Sequence, residues 1–265
     1  MGIVWIASYP KSGNTWARFL LYALMFGPPE RSIDVPKRIP DLHRPLPFDP
    51  PASGPLYAKT HFALTDRHPK LAQTERAVHI VRNPRDVLLS GLNYRRLAGA
   101  DEQAMPAAAY AKTFIARGGD PQWLEQGFGT WADHARSWAS TDRFPVHTVR
   151  YEDLKTDTPR ELKAIAEFLS IETDGDRIAK AAKAASFDAM RALEVREKAA
   201  PSATAKTDRL FVGDRAATKK GVYFINAGKT GQTLDPVAPG LDALFDTTFG
   251  ARDRDMLDRF GYAPE

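Results

Sequence analysis

Apolar positions along the chain follow two rhythms. Short unbroken runs, rich in β-branched and aromatic residues, are Ile3-Val4-Trp5-Ile6-Ala7, Leu56-Tyr57-Ala58 leading into Lys59-Thr60-His61, Ala77-Val78-His79-Ile80-Val81, and Val146-His147-Thr148-Val149-Arg150. Runs of this length suit strands of a parallel sheet covered on both faces. Between them lie longer stretches with helical spacing. Residues 16–26 are apolar, interrupted only by Arg18, and are closed by Gly27-Pro28-Pro29, a helix stop. After the third run, Asn83 suits an N-cap and Pro84 the first helical position, with Val87, Leu88, Leu89 and Leu92 on the buried face. Residues 104–117 and 128–140 read as further helices, with Trp131 and Trp138 in the core. Thr158-Pro159-Arg160-Glu161 reads as a capping box with Pro at N1. It opens a helix that buries Leu162, Ile165, Ala166 and Leu169, and residues 178–185 form a shorter one. Strands alternating with helices predict one α/β domain, a parallel sheet with helices on both faces.

Three stretches break the pattern. Residues 28–55 carry Pro28, Pro29, Pro36, Pro40, Pro45, Pro47, Pro50, Pro51 and Pro55, so little regular structure is expected there. Residues 92–127 read as an insertion, and the polar residues 199–218 as a mobile lid. Long loops of this kind often border a pocket.

Composition narrows the function. The chain has 265 residues, enough for one large domain. Lys+Arg total 37 against 33 Asp+Glu, for a net charge of +4. This mild excess suits a small anionic ligand, and the absence of a dense Lys/Arg run argues against nucleic acid. With no cysteine, disulfides, thiolate metal sites and cysteine catalysis are excluded. His43, His68, His79, His134 and His147 show no metal-ligand spacing and read as structural or exposed. The first residues lack a basic leader segment, and the apolar run at 16–26 is too short to span a bilayer. A soluble cytoplasmic protein is expected, with oligomeric state left open.

The chemistry concentrates where strands end. The run at 3–7, the turn Tyr9-Pro10-Lys11-Ser12-Gly13 and the helix from Asn14 read as strand, loop, helix. Such a turn offers free backbone N–H groups and the positive end of a helix dipole, a site for phosphate. Lys11 adds a charge, and Ser12, Asn14 and Thr15 add side-chain donors. The Walker pattern G-x-x-x-x-G-K-S/T is absent, because Lys11 precedes the glycine. Lys59 and His61 share one face of their strand, a possible base-plus-cation pair. Arg82 stands at a strand's carboxyl end, where open α/β sheets bind ligands, and Ser90 lies about two turns into the next helix.

Tyr9-Pro10-Lys11-Ser12-Gly13-Asn14-Thr15-Trp16 resembles the 5′-phosphosulfate loop, Y-P-K-S/A-G-T/N-T-W, of sulfotransferases that use 3′-phosphoadenosine 5′-phosphosulfate (PAPS). Asn14 and the preceding Trp-Ile-Ala-Ser are similar to bacterial members, including those acting on glycopeptide antibiotics. Lys59-Thr60-His61 resembles the K-T/S-H element, and the stretch from Arg82 to Ser90 resembles R-N-P-R/K-D-x-x-x-S. Arg150-Tyr151-Glu152-Asp153-Leu154 and Ala185-Ser186-Phe187 match later elements in order, and the chain's last residues resemble the family's closing helix.

The resemblance implies a P-loop-NTPase-like fold and transfer of a sulfuryl group from PAPS to a hydroxyl of a small-molecule acceptor, leaving PAP. It implies His61 as general base, Lys11 stabilising the leaving phosphate, and Lys59 touching the transferring group or steering Lys11. Residues 12–15 and Trp16 would hold the 5′ end. Arg82 and Ser90 would hold the 3′-phosphate, and Tyr151, Ser186 and Phe187 would lie near the adenine. The last element, R-K-G-x-x-G, is altered. Lys219-Lys220-Gly221 is one match, and residues 224–232, with Gly228, fit the glycine spacing better. No metal is required, since side chains supply the positive charge. The acceptor pocket is expected from residues 28–55, 92–127 and 199–218. A small-molecule kinase and a non-catalytic nucleotide-binding protein are the rival readings.

Overall fold

The computed structural model describes residues 2–44, 48, 53–99, 105–199, 210–213, 215–226 and 228–263. Among these, β1 (Ile3–Ser8), β2 (Leu56–Thr60), β3 (Thr74–Val81) and β4 (Val146–Arg150) form one parallel sheet in the order β2-β1-β3-β4. The pairs Ala7↔Thr60, Ser8↔Ile80 and Val81↔Arg150 bring the four carboxyl ends to one edge. The chain leaves β1 for β2 on one side and reaches β3 on the other. That reversal beside β1 opens a crevice at the carboxyl edge, where such sheets bind ligands.

Side chains alternate across a strand, and both faces of β1 are covered, which is why its sequence is apolar without interruption. Val4 and Ile6 pack with Trp16, Phe19 and Leu20 of α1 (Asn14–Phe26), and with Leu162, Ile165 and Ile178 from the helices Thr158–Phe168 and Gly175–Ala184. Trp5 and Ala7 face the other way, toward Ala58, Ala77 and Trp138. A third cluster packs Val81, Val87 and Leu88 against Phe114, Trp131, Phe249 and Leu257. Trp131 and Trp138 are buried core residues, and each indole N–H is satisfied by a carbonyl, that of Arg82 and that of Phe62 respectively.

Several local expectations change. The proline-rich stretch contains α2 (Asp34–Arg38). Pro36 fits there because it lies in the first turn, whose N–H groups need no helical partner. Asp157, not Thr158, caps the next helix, its carboxylate accepting from Arg160 N–H at 3.1 Å. The Thr158 hydroxyl instead donates back to Leu154 O, so the spacing for a capping box is off by one. The strand carrying Lys59 ends at Thr60, leaving His61 just past it. The insertion is helical at α3 (Pro84–Leu97), α4 (Ala107–Arg117) and α5 (Pro121–Glu125), and α6 (Trp131–Ala139) follows. Of the expected lid, residues 200–209 and 214 lie outside the described residues, and Arg215–Lys219 is a short helix. The closing helix spans Arg254–Arg259. No helix among the described residues is long and apolar enough to cross a membrane.

Candidate active site

The turn after β1 is built by two left-handed residues, Lys11 at φ 68° and Gly13 at φ 98°. A Cβ on Gly13 would stand 2.5 Å from the Tyr151 ring, so glycine is required by both torsion and space. Gly13 precedes α1 and supplies no side-chain cap, which leaves the first-turn N–H groups to the crevice. Asn14 does not present its amide there. Its Nδ2 donates to Ile6 O at 2.9 Å and Ser8 Oγ at 3.2 Å, tying α1 to β1. Ser12 is fully buried, with its N–H donating to Tyr9 O.

A cavity of about 470 Å³ opens at this edge. Its wall gathers Lys11, Gly13, Asn14, Thr15 and Trp16 from the turn, Lys59 and His61 from the end of β2, and Arg82 and Ser90 around α3. Tyr151, Phe187, Asn226, Gly228 and Lys229 complete that side. The expected loops also reach it: Asp41, His43 and Arg44; Tyr94, Trp123 and Gln126; Leu210 and Val212.

Lys11 Nζ lies 4.5 Å from the centroid of the Tyr94 ring and 4.9 Å from that of Phe224. Burial, and then the charges of Arg82 and Lys59, lower its pKa to about 7. Phe224 is held by Glu194, a fully buried carboxylate that accepts from Phe224 N–H (2.7 Å), Ile225 N–H (2.8 Å) and Lys198 Nζ (2.5 Å). The Arg82 guanidinium donates to Lys11 O at 3.0 Å and Lys229 O at 2.8 Å, and stacks 4.2 Å from the Tyr151 ring centroid. It thereby joins the turn to the C-terminal loop.

His61 Nδ1 donates to Ser8 O at 2.6 Å. A carbonyl only accepts, so Nδ1 carries the proton and Nε2 keeps its lone pair. Burial first, then Lys59 and His43, lower the imidazole's pKa well below 6.5, which keeps the ring neutral. Lys59 Nζ sits 2.8 Å from Asp41 Oδ2. Burial lowers the ammonium to about 8 against the raising effect of Asp41. Burial would raise the Asp41 carboxyl, but Lys59 and Arg18 hold it below the usual carboxylate range.

The sulfotransferase domain family matches residues 2–224. The chain belongs to the sulfotransferase family. It is 27% identical over 203 residues to sulfotransferase 2A6 of Rattus norvegicus and 30% identical over 202 residues to cytosolic sulfotransferase 1 of Danio rerio. Each match covers 70% of this chain and 66% or 65% of the relative, just under two thirds of the relatives' length. Among solved structures, mouse sulfotransferase SULT7A1 complexed with PAP superposes with a TM-score of 0.60 at 23% identity, covering 97% of this chain and 88% of that one. Retinol dehydratase in complex with retinol and PAP gives 0.61 at 18% identity, covering 97% and 80%. These structures share the fold. The two sequence relatives are animal proteins, so the likeness to bacterial antibiotic-modifying members rests on the wording of the first motif.

Against this family's pattern, most expected site residues converge and two do not. Ser12 is buried beneath the turn, and Ser186 Oγ accepts from Ala189 N–H as the cap of the helix Phe187–Ala199. Neither forms part of the cavity wall. Lys59 is on the wall with its ammonium bonded to Asp41. His43, expected to be structural or exposed, lies on the wall. Of the two readings of the last element, residues 224–232 supply wall residues, whereas Lys219, Lys220 and Gly221 do not. Gly228 has φ 57°, and a Cβ there would stand 2.5 Å from Phe187 Cζ. Ala227 lies outside the described residues. Asp86, fully buried, fixes this loop by accepting from Gly231 N–H, Gln232 N–H and Gln232 Nε2 at 2.9–3.2 Å. Among the described residues no group of three or more His, Cys, Asp or Glu is placed to hold a metal.

Proposed function

We propose that this chain transfers the sulfuryl group of PAPS to a hydroxyl of a small-molecule acceptor, acting in the cytoplasm. The observation that carries the reading is the pairing, on one cavity wall, of a neutral imidazole with a lone pair at Nε2 and a half-buried lysine in a phosphate-type turn. His61 Nε2 takes the acceptor's proton as its oxygen forms the new bond to sulfur. The bond from sulfur to the 5′-phosphate oxygen breaks, and PAP departs with that electron pair. Lys11 and the first N–H groups of α1 stabilise the charge that gathers on the leaving phosphate. Lys59 contributes positive charge to the same cavity. Arg82 and Ser90 take the 3′-phosphate with the loop around Gly228, and Trp16, Tyr151 and Phe187 surround the base. Arg44, Tyr94, Trp123, Gln126, Phe128, Leu210 and Val212 form the acceptor side. Structures of similar fold are described as PAP complexes.

The kinase reading is weaker on this wall. Among the described residues its carboxylates are Asp41 and Asp86. The first is paired with Lys59 and the second accepts from three N–H groups. Calorimetric titration with PAP, ADP and ATP tests the assignment. Tight PAP binding with much weaker ADP supports it, and ATP binding equal to PAP overturns it.

Two binding predictions follow from the geometry. Arg82→Ala should weaken PAP by about 1.5–3 kcal/mol, the usual worth of a hydrogen bond to a charged group. It should also lower Tm, because the bonds to Lys11 O and Lys229 O disappear. An unchanged dissociation constant would sink this placement. Proton linkage gives the second. Free Lys11 is charged below about pH 7 and neutral above it, and a bound phosphate favours the charged form. PAP binding at pH 8 should therefore take up a proton, and affinity should fall as pH rises through 7. Titrations in buffers of different ionisation enthalpy measure the uptake, and Lys11→Ala should abolish it.

A further inference from the structure

We infer that His43 is a positioning residue for His61, set in place by an edge segment, residues 40–44, that clasps the end of β2. The catalytic part of this inference rests on the sulfuryl-transfer reading. The segment bonds to β2 in both directions: Lys59 N–H donates to Pro40 O at 2.8 Å, and Leu42 N–H to Lys59 O at 3.1 Å, around a parallel bridge between Asp41 and Lys59. The Asp41 carboxylate then accepts from Lys59 Nζ at 2.8 Å and from His43 N–H at 3.0 Å, with Arg44 Nε 3.8 Å away. His43 closes the chain of contacts. Its Nε2 accepts the backbone N–H of His61 at 2.8 Å, and the two rings lie 5.5 Å apart at 15°. Phe62 and Phe128 pack on His43 at 4.6 and 4.9 Å between centroids.

The contact must come from a neutral ring, because a protonated Nε2 cannot accept. The surroundings enforce this: burial and the Lys59 charge lower His43 to about 4, against the opposing pull of Asp41 and with a small contribution from His68. His61 is therefore fixed from two sides, its ring by the Ser8 carbonyl and its backbone by His43. A base misplaced by about 1 Å loses on the order of 10²-fold in rate. No helix or strand holds position 61, so the side-chain contact takes over what a ladder would do.

The test uses the full chain with three substitutions. His43→Phe keeps a flat ring and removes the acceptor. His43→Gln replaces the ring with an amide oxygen at similar reach. With PAPS and 2-naphthol, His43→Phe is expected to lower kcat about 10–10²-fold while the dissociation constant for PAP is retained, and His43→Gln is expected to recover part of the loss. The His43→Phe and His61→Ala losses should be non-additive, because one acts through the other. Hydrogen exchange supplies a readout without turnover: the His61 amide should exchange faster in His43→Phe and regain protection in His43→Gln. Unchanged kcat and unchanged exchange in His43→Phe would overturn the inference. So would parallel losses of kcat, PAP affinity and Tm with no recovery in His43→Gln, the mark of a packing residue alone. If the wild type binds ATP as tightly as PAP while the exchange pattern appears as expected, the positioning stands and the sulfuryl-transfer reading fails.

Discussion

Replacing His61 with alanine is expected to lower sulfuryl transfer by about 10²–10⁴-fold, the range of a positioned general base, while PAP binding survives. The ring's bond to Ser8 O is lost in this variant, the backbone N–H keeps its bond to His43, and neither involves Lys11. The depressed pKa sets the sign of the pH profile. A base lowered well below 6.5 is already deprotonated through the neutral range, so the wild type should not lose rate to His61 protonation between pH 8 and about 6.5. Acceptor chemistry offers a sharper check. A phenol already ionised at the assay pH needs no base and should recover part of the His61→Ala loss. Wild-type rates in the variant would remove His61 from the mechanism.

Lys11→Ala is expected to cost about 10²–10³-fold in kcat, as for the loss of one preorganised donor to a developing oxyanion. Here an acidic phenol should restore nothing, because the defect lies at the leaving oxygen. PAP affinity should fall as well, since the same ammonium meets the product phosphate. Lys11→Arg should rescue poorly: Nζ stands between the rings of Tyr94 and Phe224, a space shaped for a compact ammonium rather than a planar fork. Full activity in Lys11→Ala would refute the assigned role. A rate loss fully recovered with the ionised phenol would place Lys11 on the acceptor side instead.

Much of this was legible in the residues. The unbroken apolar run of β1 reports a strand buried on both faces, and Tyr9 to Gly13 report the tight turn into α1, because both depend on local pattern. The tryptophans of α6 were legible as core for the same reason. Less legible were residues whose surroundings come from far along the chain. Ser186 looked like a ligand contact and is a helix cap. Asn14 looked like a phosphate donor and bonds Ile6 and Ser8. Lys59, read as touching the transferring group or steering Lys11, is also held by Asp41. Asp41 and His43 sit among prolines with no periodicity to mark them. Nothing in the local sequence says that Glu194 holds Phe224 beside Lys11 from 30 positions away.

By itself, then, the sequence determined the order of the strands and main helices, the sheet class and the strand–turn–helix at the start of the chain, because hydrophobic period and turn chemistry act over a few residues. It also carried the motifs by which the family is recognised. The tertiary structure decided which polar groups are spent on the scaffold and which face the cavity. It also decided the charge states of Lys11, Lys59 and His61. Desolvation and the field of groups distant in sequence set both, and neither exists until the chain has closed around them.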